Sequence, residues 1–177
     1  MLDSRLRPII DPPLNALGAW IARIGLTANQ VTLAGALIGI GAGVAIGFRY
    51  YLLGLVLLLV SRLFDGLDGA VARATTQSDF GGYLDIVADF AFYIAVPIGF
   101  GFAASANLPF ALILVGSFTL TGISFLAYAV IAAKEGRESD AHGKKSFFYN
   151  TGLAEGTETI IAFVLMCLMP QYFALVA

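Results

Sequence analysis

The residue order predicts an all-α fold, a polytopic transmembrane helical bundle with an N-terminal interfacial amphipathic helix. Three observations carry this. Of 177 residues, 59% are hydrophobic and only 12% charged, more apolar side-chain surface than a soluble domain of this size can bury. The apolar residues fall into runs long enough to cross a bilayer as helices, roughly 20 residues each, separated by polar turns. The first long run also spaces Gly35, Gly39, Gly43 and Gly47 at intervals of four, a pattern that lets helix backbones approach closely in lipid. No hydrophilic block is long enough for a second domain. Residues 1–177 therefore read as one membrane domain, with a juxtamembrane segment over 1–26 and the bundle over 27–177.

The elements follow in order. Residues 6–25 mix Pro8, Pro12 and Pro13 with Leu14, Leu17, Trp20, Ile21 and Ile24, beside Arg5, Arg7 and Arg23. From Pro13 onward the apolar positions recur at helical spacing, and Trp20 with the basic residues suits a helix lying in the interface plane. The first span covers about 29–47, with Thr27 or Asn29 as its cap. Arg49, Tyr50 and Tyr51 make a brief turn. The second span, about 52–73, carries Arg62 as a structural counter-charge ahead of an acidic face. Residues 74–78 are too few for anything but a turn between antiparallel helices. A third span, about 81–102, is capped by Ser78 or Asp79. An uncharged link over 105–109 leads to a fourth span over about 110–133. Residues 134–150 form the one long polar loop, and a last apolar run over about 157–177 contains Pro170. Glu155 and Glu158 stand where that run opens, a position the helix dipole favours for acids.

Charge and cysteine content narrow the function classes. A net charge of −2 without a basic run argues against nucleic acid as a partner. The single cysteine, Cys167, can form no intramolecular disulfide and reads as packing. The opening MLDSRLRPIID lacks a continuous apolar core with a small-residue cleavage site, so no signal peptide is expected. With the amino terminus in the cytoplasm, Arg5, Arg7, Arg23, Arg73, Lys134, Arg137, Lys144 and Lys145 fall inside and Arg49 alone outside.

Within this apolar chain stand Asp65, Asp68, Asp85 and Asp89. An ionisable group at membrane depth costs ~2.5–3.5 kcal/mol on insertion scales, so the set needs compensating charge, which a bound cation supplies. Positions 65, 68, 69, 72 and 73 share one helix face, and 81, 85 and 89 share another. The short turn between the two helices brings both acidic faces to one membrane surface, the cytoplasmic one under the orientation above. Oxygen ligands without His or Cys suit Mg²⁺, Mn²⁺ or Ca²⁺ rather than zinc.

The pattern Asp65-x2-Asp68-Gly69-x2-Ala72-Arg73, seven residues, then Gly81-x3-Asp85-x3-Asp89 resembles the signature of the CDP-alcohol phosphotransferase (CDP-alcohol phosphatidyltransferase) family. The interval of seven is eight in many members, but Gly82 would break the x3 spacing to Asp85. The resemblance implies a homodimer of bundles of five to six spans, the sixth absent or reduced here to the residues after Pro170, in the bacterial inner membrane. It implies transfer of a phosphatidyl group from CDP-diacylglycerol to the hydroxyl of a small polar acceptor with release of CMP, dependent on two Mg²⁺ or Mn²⁺ ions. Asp65, Asp68, Asp85 and Asp89 are the implied metal ligands, with Asp89 also the general base. Asp68, Gly69, Ala72, Arg73 and Gly81 are the implied contacts to the CDP moiety, and Asn29 with Thr32 matches a pair that often opens the first span. The acceptor stays open among glycerol 3-phosphate, inositol or its phosphate, and serine. Lys134, Arg137, Lys144 and Lys145 read as topology determinants, and the late spans offer no basic residues for a phosphorylated acceptor. The rival class is an ion or proton transporter using the buried carboxylates. Against it, the acids gather at one membrane face and no internal repeat places a site at the midplane. A calcium loop of the EF-hand type fails on spacing.

Overall fold

The computed structural model describes residues 3–134 and 156–177, and every regular element among them is helical. In order these are α1 (Asp3–Arg23), α2 (Ala28–Gly47), α3 (Tyr51–Ala74) and α4 (Asp79–Ala103). A 3₁₀ turn (Ser105–Asn107) leads to α5 (Leu108–Lys134); α6 (Gly156–Leu168), a second 3₁₀ turn (Pro170–Tyr172) and α7 (Phe173–Val176) follow. Arg137, Lys144, Lys145 and Glu155 lie outside the described residues.

The first helix starts earlier than its sequence suggests. Pro8, Pro12 and Pro13 all lie inside α1, although each lacks an N–H to donate and the apolar periodicity becomes readable only from Pro13. Packing against α3 outweighs the missing donors. Leu14, Ile21 and Ala22 cover Val31, Leu67 and Val71, and a Cβ on Gly18 would stand 2.6 Å from that of Ala70. Trp20 and Ile24 remain exposed.

Helix α2 lies between α3 and α4 as the central slab. Its start is a full capping box: the Thr27 hydroxyl accepts from the Gln30 N–H at 3.3 Å and the Gln30 side chain accepts from the Thr27 N–H at 3.0 Å. Thr27, not Asn29, is thus the cap. A Cβ on Gly35 would meet Phe64 at 2.8 Å and one on Gly39 would meet the Ser61 hydroxyl at 2.7 Å, both on α3. Gly43 faces the backbone of Ala95 on α4, and Gly99 of α4 faces Gly43 in return. Between α2 and α3 the chain turns through Arg49 at φ 66°, in the left-handed region. The Arg49 Nε donates to the Ala103 carbonyl at 2.8 Å, tying this turn to the end of α4.

Phe92, Val96 and Phe100 of α4 anchor the main core with Leu58, Phe163, Met166 and Cys167. Cys167 is buried there. Pro109, expected in the link, sits in the first turn of α5, where a missing N–H has no helical partner to lose. The last apolar run departs from a straight span. Helix α6 ends at Leu168 and the chain bends by 117° into the segment Pro170–Val176, because Pro170 can neither donate nor fit behind a preceding helical turn. That bend seats Phe173 against Phe100, ring centroids 4.7 Å apart.

Helices α2 and α4 and the stretch Ser105–Ala132 are each long and apolar enough to cross a membrane, and the bent pair makes a fourth only if taken together. Helix α3, at 24 residues, has the length, about 36 Å at 1.5 Å per residue. It carries Arg62 at its midpoint and Asp65, Asp68 and Arg73 in its second half. The stretch Ser105–Ala132 is only 11% buried, against 44% for α2, so its apolar surface faces outward where lipid is the natural neighbour.

Candidate active site

The turn between α3 and α4 positions the acids. The Thr75 hydroxyl donates to the Val71 carbonyl at 2.8 Å, closing α3. Ser78 caps α4, its hydroxyl accepting from the Gly81 N–H at 3.0 Å. Asp65 and Asp68 then lie a turn or two before the end of α3, and Asp85 and Asp89 the same distance into α4. One oxygen each from Asp65, Asp68 and Asp85 lies within 4.8 Å of the others. At that separation two carboxylate charges repel by about 3 kcal/mol at an effective dielectric of ~20. Three of them in a mostly apolar bundle call for a cation.

The residues fit one. All three donors are hard oxygens, and the Asp68 Oδ2 is buried with no hydrogen-bond partner. Oxygens sharing a divalent ion stand about 3–4 Å apart, so modest side-chain rotation closes the set. A small cavity of ≈ 10 Å³ lies beside it, lined by Thr32, Ser61, Arg62, Asp65 and Asp68 among others. That is room for about one water-sized sphere.

Asp89 is engaged differently. Its Oδ1 accepts from the Arg62 Nη1 at 2.6 Å, and the same nitrogen stands 3.8 Å from the Asp65 Oδ1. The guanidinium lies 3.9 Å over the Phe92 ring, a cation–π geometry, and its Nη2 donates to the Ser61 hydroxyl at 3.4 Å. Ser61 in turn donates to the Gly35 carbonyl at 2.9 Å, so α2, α3 and α4 all hold this arginine.

The remaining motif residues line the same end of the bundle. Ala72 and Arg73 border a shallow, open cleft with Thr75, Thr76 and Gln77. A Cβ on Gly69 would meet the Arg73 Nη1 at 3.2 Å, and one on Gly81 would meet the Asn29 Oδ1 at 3.2 Å. Both glycines thus keep backbone clear beside a polar side chain. Arg73 is held from α1: its Nε and Nη2 donate to the Asn15 Oδ1 at 3.2 and 2.9 Å. Sequence reasoning missed Asn15, whose only signal is an amide on the helix face that carries Leu14 and Gly18. Thr32, which donates to the Ala28 carbonyl at 3.0 Å, lines the cavity beside Asp68.

The fold and this acidic end define a class, polytopic membrane proteins with an oxygen-only carboxylate cluster able to hold a cation between two helices. The chain belongs to the CDP-alcohol phosphatidyltransferase family, whose model matches residues 25–177, and is an integral membrane enzyme of that class. It is 46% identical over 175 residues to the inner membrane protein YnjF of Escherichia coli, covering 98% of this chain and 85% of that protein. It is 40% identical over 87 residues to archaetidylinositol phosphate synthase of Pyrococcus horikoshii, covering 49% of this chain and 46% of the relative. Its fold is similar to that of the phosphatidylinositol phosphate synthase of Mycobacterium tuberculosis solved with CDP-DAG bound. The TM-score is 0.66 at 18% identity, over 92% of this chain and 83% of that one.

Proposed function

We propose that this protein transfers a phosphatidyl group from CDP-diacylglycerol to the hydroxyl of a small polar acceptor and releases CMP, at the cytoplasmic face of a bacterial inner membrane. The acceptor oxygen forms a bond to the lipid-bearing phosphorus as the bond from that phosphorus to CMP breaks. The observation that carries this is the convergence of Asp65, Asp68 and Asp85 within 4.8 Å at the end of the bundle that also holds Arg73 and its cleft. The structurally similar synthase, which has CDP-DAG bound, supports the choice of donor. Asp65, Asp68, Asp85 and Asp89 would hold two divalent ions, Mg²⁺ or Mn²⁺, which neutralise charge on the attacking and leaving oxygens.

The chain's own residues do the rest. Asp89 takes the proton of the acceptor hydroxyl as general base. Arg73, braced by Asn15, meets the donor diphosphate with charge-assisted hydrogen bonds. Gly69, Ala72 and Gly81 leave clearance for the cytidine and its phosphates, and Asp68 joins the CDP contacts. Residues 1–177 act as one domain. Arg73 and Lys134 on one side of the bundle, with Arg49 on the other, support an acidic end on the cytoplasmic side.

The acceptor is one of glycerol 3-phosphate, inositol or its phosphate, and serine. The relatives named for inositol phosphate synthesis favour inositol phosphate. Helices α5 and α6 carry Lys134 as their one basic residue, which favours an unphosphorylated acceptor. The test is an acceptor panel on the purified protein with labelled CDP-diacylglycerol and Mn²⁺, reading CMP release and the lipid formed. Metal-dependent CMP release with one acceptor is the expected result. No CMP release with any of them would overturn the transfer reading.

A further inference from the structure

We propose that Arg62 is a resident counter-cation of the acidic site, a positioning residue that pins the Asp89 carboxylate beside Asp65 until a second divalent ion displaces it. This rests on the reading of Asp65, Asp68 and Asp85 as ligands of a first ion. The arginine is not a surface ion pair of the kind that contributes little. Its side chain is 12% exposed, its Nη1 reaches Asp89 at 2.6 Å and Asp65 at 3.8 Å, and its plane rests 3.9 Å from the Phe92 ring centroid. It bridges α3 to α4 at the level of the carboxylate cluster.

Two consequences follow from that placement. Without bound metal, Arg62 offsets part of the charge of four acids, which would otherwise repel between α3 and α4. With metal, an ion that takes Asp89 must compete with the guanidinium. Phe92 and the Ser61 hydroxyl offer Arg62 a resting place after it lets go, because a planar guanidinium can stay stacked and hydrogen-bonded without its carboxylate. The second ion should therefore bind more weakly than the carboxylate count alone implies.

Mn²⁺ titration of the purified protein, followed by electron paramagnetic resonance for bound ions and for coupled ion pairs, tests this. In Arg62→Met the second ion is expected to bind about tenfold more tightly than in the wild type, the scale of losing one charge-assisted hydrogen bond, while the first ion changes less. Arg62→Lys, which keeps the charge, should stay near wild type. The thermal midpoint of Arg62→Met should fall in EDTA and recover in saturating Mn²⁺, a reversal that simple loss of packing would not produce. If the methionine variant does not fold, Arg62→Gln, neutral but polar, gives the same comparison. An unchanged second-ion affinity, or equal tightening of both ions, would overturn the role of Arg62 while leaving the metal site standing. Failure of the wild type to bind any Mn²⁺ would overturn both.

Discussion

Four aspartates of one chemical kind stand in two environments. Asp65, Asp68 and Asp85 converge, whereas Asp89 accepts directly from Arg62, which only flanks Asp65 at 3.8 Å; the base role proposed for Asp89 would separate it further. Asp89→Asn is expected to keep Mn²⁺-dependent binding of CDP-diacylglycerol while CMP release falls by roughly 10²–10⁴-fold, the usual contribution of a positioned base. Steady-state turnover beside donor-binding isotherms checks this, and full turnover would remove Asp89 from the role. Asn15→Ala should raise the KM for the donor about fivefold with kcat little changed, because a lost hydrogen bond of ~1 kcal/mol frees Arg73 without touching the reacting atoms. The eight motif residues were legible because helical spacing alone puts them on two faces. Asn15 was not. It lies 58 residues from Arg73 in sequence, and only the packing of α1 on α3 brings the two together.

At the level of elements, α2 organises the bundle because its glycines admit both neighbours. Their spacing was visible in the sequence, but which of them touches backbone depends on a partner that spacing does not name. Gly43 meets the Ala95 main chain, which cannot rotate away, whereas a Cβ on Gly41 would have nothing within 4 Å. Gly43→Val should therefore destabilise by about 2–3 kcal/mol through overpacking. Gly41→Ala should be neutral or stabilising by up to ~1 kcal/mol through helix propensity. Thermal unfolding in detergent compares them. The same limit explains the two ends of the chain's helical record. The apolar periodicity is readable only from Pro13, whereas α1 extends from Asp3, and the last apolar run, which contains Pro170, bends by 117° rather than running straight.

The whole molecule is an apolar bundle with its chemistry at one end, next to the turn over 75–78. Exposed Leu33, Leu37 and Val44 on α2, and Leu112 and Leu120 on α5, present the lipid-facing surface. The proposed orientation of that bundle follows the distribution of Lys and Arg. Thr76→Cys should react with a membrane-impermeant maleimide only from the cytoplasmic side, and Phe48→Cys only from the opposite side; the reverse pattern would move the site out of reach of nucleotide-linked donors. The all-helical class and the acidic faces were readable from composition and period, whereas the seating of α7 on Phe100 needed the folded chain. The most direct measurement is a calorimetric titration of CDP-diacylglycerol into wild type and Asp68→Ala, each with and without Mn²⁺. Carboxylates that cage divalent ions require binding by the wild type only with Mn²⁺ and none by the variant. Undiminished Mn²⁺-dependent binding in Asp68→Ala would contradict the site.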